Sequence, residues 1–225
     1  MRMLVNAGVN HWYPKGSERL RKSILETSPS VDTVIYGDFP NQLVDKSNPY
    51  NIKASALYDV RVIYFTRNNH PVFLWADCSV WAIKDISPIF DIIERDGYYL
   101  LSSGYNAAQT CSDKCLDYFG FTRDEAEKIP DSSTMVFGLD LNTKIGEDFF
   151  IKFIRASYDG VFNGSREHDN QSQDPRFLFH RQDQSAATCI AHKLGMKLHS
   201  FGQHVAYDQD GVTPPESVVM LARGM

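Results

Sequence analysis

The chain is predicted to fold as a single α/β domain, with a mostly parallel central sheet flanked by helices. Its 225 residues suffice for one sizeable hydrophobic core and leave little room for a second. The apolar share of 43% and the aromatic share of 12% are typical of a folded globular chain. Short apolar runs alternate with amphipathic stretches, which favours α/β architecture over a sandwich or a bundle.

The first half of the chain has a regular alternation of strands and helices. Strands are predicted at Met3–Ala7, Thr33–Tyr36 and Val72–Ala76, with helices at Gly16–Leu25 and Ile52–Thr66 between them. Strands joined by helical crossovers pair in parallel, with right-handed connections. The three strands are therefore expected to end at the same edge of the sheet.

The second half is less regular and is predicted to add a few antiparallel strands. The segments expected there are a helix at Ser87–Arg95, a strand at Tyr98–Leu101, helices at Ser112–Phe119 and Thr122–Lys128, a strand at Met135–Leu141, helices at Ile145–Tyr158 and Arg181–Leu194, and a last strand at Lys197–Phe201. Residues 160–179 are polar and are expected to form a long functional loop. The domain is predicted to span residues 1–210, followed by a C-terminal tail over 211–225.

Charge and cysteine content narrow the class of protein. A net charge of −5 gives no support to a nucleic-acid partner, because proteins that bind nucleic acid typically carry basic patches. No window approaches the ~20 apolar residues of a membrane span, so a cytoplasmic location is expected. The four scattered cysteines indicate free thiols, and the C-x3-C of Cys111 and Cys115 lacks the second ligand pair of a zinc finger.

The strongest predicted strand, Val72–Ala76, ends directly on Asp77, and Ser79 follows two residues later. Ligands bind at the carboxyl ends of strands in open α/β sheets, so this carboxylate is expected to face a ligand. Oxygen ligands suit Mg²⁺ and Mn²⁺, which Asp77 and Ser79 could hold directly or through water. The alternative, equally compatible with the local pattern, is that Asp77 caps the turn and Ser79 satisfies a backbone group.

A second polar cluster begins the helix predicted near residue 181. His180, Arg181, Asp183 and Gln184 lie together there, and Asp183 falls in the first turn, where the helix dipole favours a negative charge. A helix N-terminus can project such side chains into a cleft, and this clustering favours a functional interpretation. The alternative is that Asp183 only stabilises the helix.

Cationic and aromatic side chains are expected at the same edge of the sheet. Lys53 lies in the first turn of a predicted helix, where the dipole disfavours a cation, so it is expected to face a phosphate or a site carboxylate. An exposed, solubilising lysine is the alternative. After the first strand, Trp12 or Tyr13 could stack on a base or sugar, and Lys15 could meet phosphate. The P-loop and G-x-G-x-x-G motifs are both missing from the sequence, which disfavours a dinucleotide enzyme.

Three of these segments resemble the GT-A glycosyltransferases. The W-A-D-C-S-V-W-A-I-K-D-I-S run resembles their D-x-D segment, with Asp77 at the first acid and Ser79 at the second. The R-x-D-Q run ending at Gln184 is similar to a helix in several GT-A subfamilies, whose acid contacts the acceptor or serves as base. N-P-Y-x-x-K, which contains Tyr50 and Lys53, is similar to the segment near the nucleotide base.

This resemblance covers roughly residues 3–201 and implies a GT-A-like domain that moves a sugar from a nucleotide-diphosphate donor, such as a UDP-sugar, to an acceptor hydroxyl. The nucleotide-sugar-binding residues that it implies are Trp12, Tyr13, Lys15, Tyr50, Lys53, Asp77, Ser79 and Gln184. Asp183 would orient or deprotonate the acceptor hydroxyl, and Arg181 would stabilise leaving-group charge. Asp77, Ser79 and a C-terminal histidine, His204, would hold Mn²⁺ or Mg²⁺.

Two other functions remain open. A sugar nucleotidyltransferase shares the nucleotide-binding half, although its glycine-rich phosphate loop with a following arginine is missing from the sequence. A catalytically degenerate module that binds sugar or a partner protein is the third possibility. Ser79 keeps it open, because the second acid is usually the closer metal ligand in the GT-A family.

Overall fold

A five-stranded mixed sheet lies at the centre of the computed structural model, which describes residues 1–40, 46–65, 71–163 and 172–223. Its strands are β1 (Arg2–Ala7), β2 (Asp32–Tyr36), β3 (Val72–Ala76), β5 (Tyr98–Asn106) and β6 (Pro130–Asp140), in the order β2-β1-β3-β6-β5. Strand β1 pairs in parallel with β2 and β3, and β6 runs antiparallel between β3 and β5. The predicted α/β class, with parallel pairing first and antiparallel pairing in the second half, is confirmed.

Eight helices are present in the described ranges. They are α1 (Tyr13–Thr27), α2 (Asn51–Phe65), α3 (Ser87–Asp96), α4 (Ala107–Thr110), α5 (Asp113–Phe119), α6 (Arg123–Ala126), α7 (Lys144–Tyr158) and α8 (Asp183–Lys193). Seven of them match predicted helices to within a few residues, and the short α4 was not predicted. None of these helices is both long and apolar enough to cross a membrane. Of the predicted loop at 160–179, residues 164–171 lie outside the described residues.

The two faces of the central sheet bury two separate hydrophobic clusters. Because side chains alternate along a strand, Met3 and Val5 of β1 enter one cluster, whereas Leu4 enters the other. The first cluster packs against α2, α4, α5, α7 and α8, and the second against α1 and α3. Helices therefore cover both faces, which leaves the carboxyl ends of the parallel strands as the open edge.

A second, three-stranded sheet was not predicted. Its strands are β4 (Val80–Ala82), β7 (Val205–Tyr207) and β8 (Met220–Ala222), with β8 in the middle. Strand β8 is buried and belongs to the segment that was predicted to be a tail, although the domain boundary at residue 210 itself stays a prediction.

The prediction of a strand at Lys197–Phe201 is wrong. A single bridge joins His199 to Leu101: the His199 N–H donates to the Leu100 carbonyl at 2.7 Å, and the Ser102 N–H donates to the His199 carbonyl at 2.8 Å. The segment is polar at Lys197, His199 and Ser200, so it lacks the continuous apolar surface of a buried strand.

Candidate active site

The carboxylate of Asp77 lies just beyond the end of β3. The backbone N–H of Asp77 donates to the Met135 carbonyl of β6 at 2.8 Å, which fixes the turn against the neighbouring strand. Its Oδ1 accepts a hydrogen bond from the indole Nε1 of Trp75 at 2.6 Å, and 39% of its side chain is exposed. Asp77 therefore lies at the open edge of the sheet, with its carboxylate bound to side chains and not used to cap the turn.

Lys53 joins the two acids that the sequence singled out. Its Nζ lies 2.7 Å from Asp183 Oδ2 and 3.4 Å from Asp77 Oδ1, and it donates to the Thr134 carbonyl at 2.8 Å. Only 8% of the Lys53 side chain is exposed, which excludes a solubilising role for it. We call Lys53, Asp77, Thr134 and Asp183 the Lys53 cluster.

The charges of the Lys53 cluster determine its protonation. Burial lowers the pKa of Lys53, but attraction by Asp183 and Asp77 outweighs it and raises that pKa overall. Burial raises the pKa of Asp77, against the opposing effects of Lys53 and the Trp75 indole. Lys53 is consequently a fixed cation, and it favours the ionised form of the Asp77 carboxyl group.

The N-terminus of α8 presents Asp183 to Lys53. Thr134 Oγ1 also donates to Asp183 Oδ2, at 2.8 Å, so two donors hold that oxygen. The preceding residue, Gln182, has φ 51° and ψ −114°, a backbone conformation that residues other than glycine rarely adopt. Such strain persists where the surrounding structure enforces it, and it is concentrated at functional sites.

His180 is a structural residue in this arrangement. Its Nδ1 accepts from the backbone N–H of Ser112 at 3.2 Å, and its Nε2 lies 3.0 Å from the Val161 carbonyl. Burial lowers the pKa of His180, consistent with a neutral ring that joins three segments of chain.

Gln184 points away from the Lys53 cluster, into a buried polar network that the sequence did not reveal. Its Nε2 donates to Asp131 Oδ2 at 2.7 Å, while its Oε1 accepts from Arg181 Nη2 at 3.2 Å. Asp131 is fully buried and accepts from three further hydroxyl groups, those of Ser103, Thr110 and Thr188. Because all four donors are neutral, burial dominates and raises the pKa of Asp131 to about 6.

Replacing Asp131 with asparagine is expected to change how stability depends on pH. The folded-state pKa of about 6 lies above the unfolded value, so the wild type gains stability as the pH falls through 6 toward 3.8. Between pH 7.5 and 4.5 the wild type should gain about 2 kcal/mol relative to Asp131→Asn. Urea unfolding of both proteins at both pH values measures this difference. A difference that stays constant with pH would contradict the assignment.

The predicted aromatic residues lie near Asp77. Tyr13 begins α1, and its ring centre is 4.8 Å from that of Trp12. Burial raises the pKa of Tyr13, and Tyr50 and Asp77 are close enough to raise it further. Lys15 is exposed on the first turn of α1. Tyr13 thus lies within electrostatic reach of Tyr50 and Asp77.

Two residues of α1, Gly16 and Arg19, contact the turn after β3. A Cβ at Gly16 would lie 2.3 Å from the Cys78 carbonyl oxygen, so glycine lets α1 touch this turn. Arg19, one turn later, donates to the carbonyl of Ser79 at 3.1 Å and lies 4.1 Å from the ring centre of Trp81. The contact of Arg19 with the turn depends on β4, which was not predicted.

The three residues predicted to hold a divalent cation fit it poorly. Ser79 is half-buried and offers a neutral hydroxyl, and Asp77 Oδ1 already binds Lys53 and Trp75. His204 packs edge-on against Tyr99, with ring centres 6.0 Å apart. A metal at these residues stays a prediction.

Among the histidine, cysteine and acidic residues that the structure describes, one group of three could hold a metal ion. All three of its members are cysteines. Cys111, Cys115 and Cys189 have sulfur atoms within 4.8 Å of one another, and all three are buried in the core beside α8. Thiols buried in this way pack as small apolar groups.

Two solved structures match almost the whole chain. Mouse xyloside xylosyltransferase 1, in its apo form, aligns with a TM-score of 0.51 and 11% identity over 99% of this chain and 97% of that one. The apo structure of the bifunctional glycosyltransferase WbbM aligns with a TM-score of 0.52 and 11% identity over 97% of this chain and 45% of that one. No protein-family model and no curated sequence matches. The chain therefore has the GT-A-like fold of glycosyltransferases, as the resemblance implied.

Proposed function

We propose that the protein transfers a sugar from a nucleotide-diphosphate donor to an acceptor hydroxyl. The observation that carries this proposal is the Lys53 cluster, which joins Asp77 and Asp183 at the open edge of a glycosyltransferase-like sheet. Charged side chains that are held rigidly can favour the charge distribution of a transition state without having to reorganise.

The donor fits the side of the cluster nearest β1. Tyr13 and Tyr50 are suited to stack against a nucleotide base, and the exposed edge of Asp77 can accept hydrogen bonds from sugar hydroxyls. The Lys53 cluster holds one positive and two negative charges, so a diphosphate needs further positive charge nearby. Arg19 and Lys15 supply cations on the adjacent turns of α1.

The acceptor hydroxyl fits at Asp183. Its Oδ2 is occupied by Lys53 and Thr134, which leaves Oδ1 to accept the hydroxyl proton or to orient the hydroxyl. As the acceptor oxygen bonds to the anomeric carbon, the bond from that carbon to the diphosphate oxygen breaks and the electron pair leaves with the nucleotide. The hydroxyl proton goes to Asp183 or, if Asp183 only orients, to solvent.

Isothermal titration with UDP tests the donor half of the proposal. Wild-type protein should bind UDP, and Asp77→Ala should weaken binding at least tenfold because hydrogen bonds from the ribose hydroxyls to the exposed carboxylate are lost. Asp91→Ala is a matched control, since Asp91 pairs with Arg2 and is exposed on α3. Repeating the titrations with Mn²⁺ and with a chelator measures any metal requirement.

Two results would overturn the donor site. One is no affinity for UDP or any nucleotide sugar, and the other is equal binding by wild type and Asp77→Ala. Nucleotide binding without any release of sugar from a donor would instead indicate the degenerate binding module.

A further inference from the structure

We propose that the cavity beside Arg181 is the subsite for an acidic sugar of the acceptor, bound through its carboxylate. This inference rests on the proposed function and specifies its acceptor class. The cavity has a volume of about 320 Å³, at the small end of ligand sites and suited to one sugar ring.

The lining of the cavity combines the groups that a sugar ring needs. Four serines line the cavity, and the hydroxyl groups of Ser102 and Ser133 are of the kind that both donate and accept hydrogen bonds. Tyr105, Phe201 and Tyr207 supply aromatic surface. Arg181 is the single charged residue of the lining, so the cavity is cationic.

Arg181 is available to a ligand carboxylate. In the described ranges its guanidinium pairs with no acid, and its one side-chain hydrogen bond goes to Gln184 Oε1 at 3.2 Å. Gln184 in turn donates to Asp131, so it is held in place and fixes the position of the guanidinium. Most of the guanidinium N–H groups bond to no residue that the structure describes. A guanidinium has five donors in a planar fork, which matches the two oxygens of a carboxylate.

Two exposed aromatic rings line the same cavity as this cation. Tyr105 is 42% exposed and packs edge-on against Phe179, with ring centres 5.6 Å apart. Tyr207 is 55% exposed and lies 4.6 Å from the Phe201 ring centre. Rings that neighbours hold in place and that remain open to solvent can cover the apolar face of a pyranose at little entropic cost.

The cavity adjoins the Lys53 cluster along the chain. Ser133 of the lining precedes Thr134, whose hydroxyl holds Asp183, and Arg181 lies two residues before Asp183. The segments that line the cavity are therefore the ones that position Asp183, and an acceptor sugar bound in the cavity would be held next to them.

Matched acidic and neutral sugars test the subsite directly. The probes are methyl glucuronide against methyl glucoside and methyl galacturonide against methyl galactoside, with binding measured by ligand-observed NMR on the full chain. Wild-type protein should bind at least one acid tenfold or more tightly than its neutral partner. Arg181→Gln should remove that preference, and Arg181→Lys should keep only part of it because a bidentate contact is lost.

The control variant is Arg95→Gln, since Arg95 is exposed on α3 and pairs with Asp96. It should keep the full preference for the acidic sugar. The subsite is overturned if neither acid binds more tightly than its neutral partner, or if the preference survives in Arg181→Gln.

Titration with UDP separates the subsite from the proposed function. Weaker UDP binding in Arg181→Gln, together with displacement of the acidic sugar by UDP, would assign the cavity to the donor phosphate and overturn the inference. Asp77-dependent UDP binding with no acid preference would overturn the subsite alone. A preference that depends on Arg181, in a protein that binds neither UDP nor any nucleotide sugar, would overturn the transferase proposal and support the sugar subsite.

Discussion

Replacing Lys53 with methionine is expected to destabilise the fold by about 3–5 kcal/mol and to abolish sugar transfer. Methionine has a similar length but no charge, so Asp183 would remain buried without its cation and Asp77 would lose one of its two donors. The two carboxylates would then also repel each other. Urea unfolding measures the loss of stability, and release of sugar from a UDP-sugar measures the loss of activity.

The control is Lys144→Met, which removes a surface ion pair of similar length. Lys144 lies 2.7 Å from Asp148 and is 88% exposed, so its loss should barely change the free energy of unfolding. The double variant Lys53→Met/Asp183→Asn should recover part of the stability, because it removes one of the uncompensated charges. A double variant that is less stable than Lys53→Met would contradict the electrostatic explanation.

The sequence predicted the first half of the fold well because that half is built from local signals. Strands β1, β2 and β3 are apolar runs separated by helical stretches, and crossover rules then set their pairing. The position of β6 between β3 and β5 has no comparable local signal, since it depends on which distant strand completes the ladder. The same holds for the small sheet, where Met220–Ala222 pairs with a strand 140 residues earlier in the chain.

The candidate site was partly predictable for the same reason. Lys53 was informative because a cation in the first turn of a helix needs a compensating partner, and its contacts with Asp77 and Asp183 supply two. Asp131 carried no such signal. Its donors come from β5, α4 and α8, so its burial is visible only once these elements pack together. Gln184 was singled out by the same motif as Asp183, yet it faces Asp131 and not the open edge.

Asp183→Asn is expected to reduce sugar transfer at least a hundredfold while changing UDP affinity less than threefold. The asparagine oxygen can still accept from Lys53 and Thr134, so the geometry at the start of α8 is retained. An amide cannot take up a proton, and loss of a general base typically costs 10²–10⁴ in rate. The transfer rate with saturating acceptor and the UDP affinity from titration measure the two effects separately.

The size of this loss decides between the two roles of Asp183. If the carboxylate only orients the acceptor hydroxyl, asparagine replaces it as a hydrogen-bond acceptor, and the rate should fall only about tenfold with an unchanged pH profile. If it is the base, the acidic limb of the pH–rate profile should disappear in the variant. Asp148→Asn, on α7 with a half-buried side chain that pairs with Lys144, serves as the charge-matched control. Unchanged turnover in Asp183→Asn would leave Asp183 as a residue that stabilises α8 and the Lys53 cluster, and the base would have to be sought elsewhere.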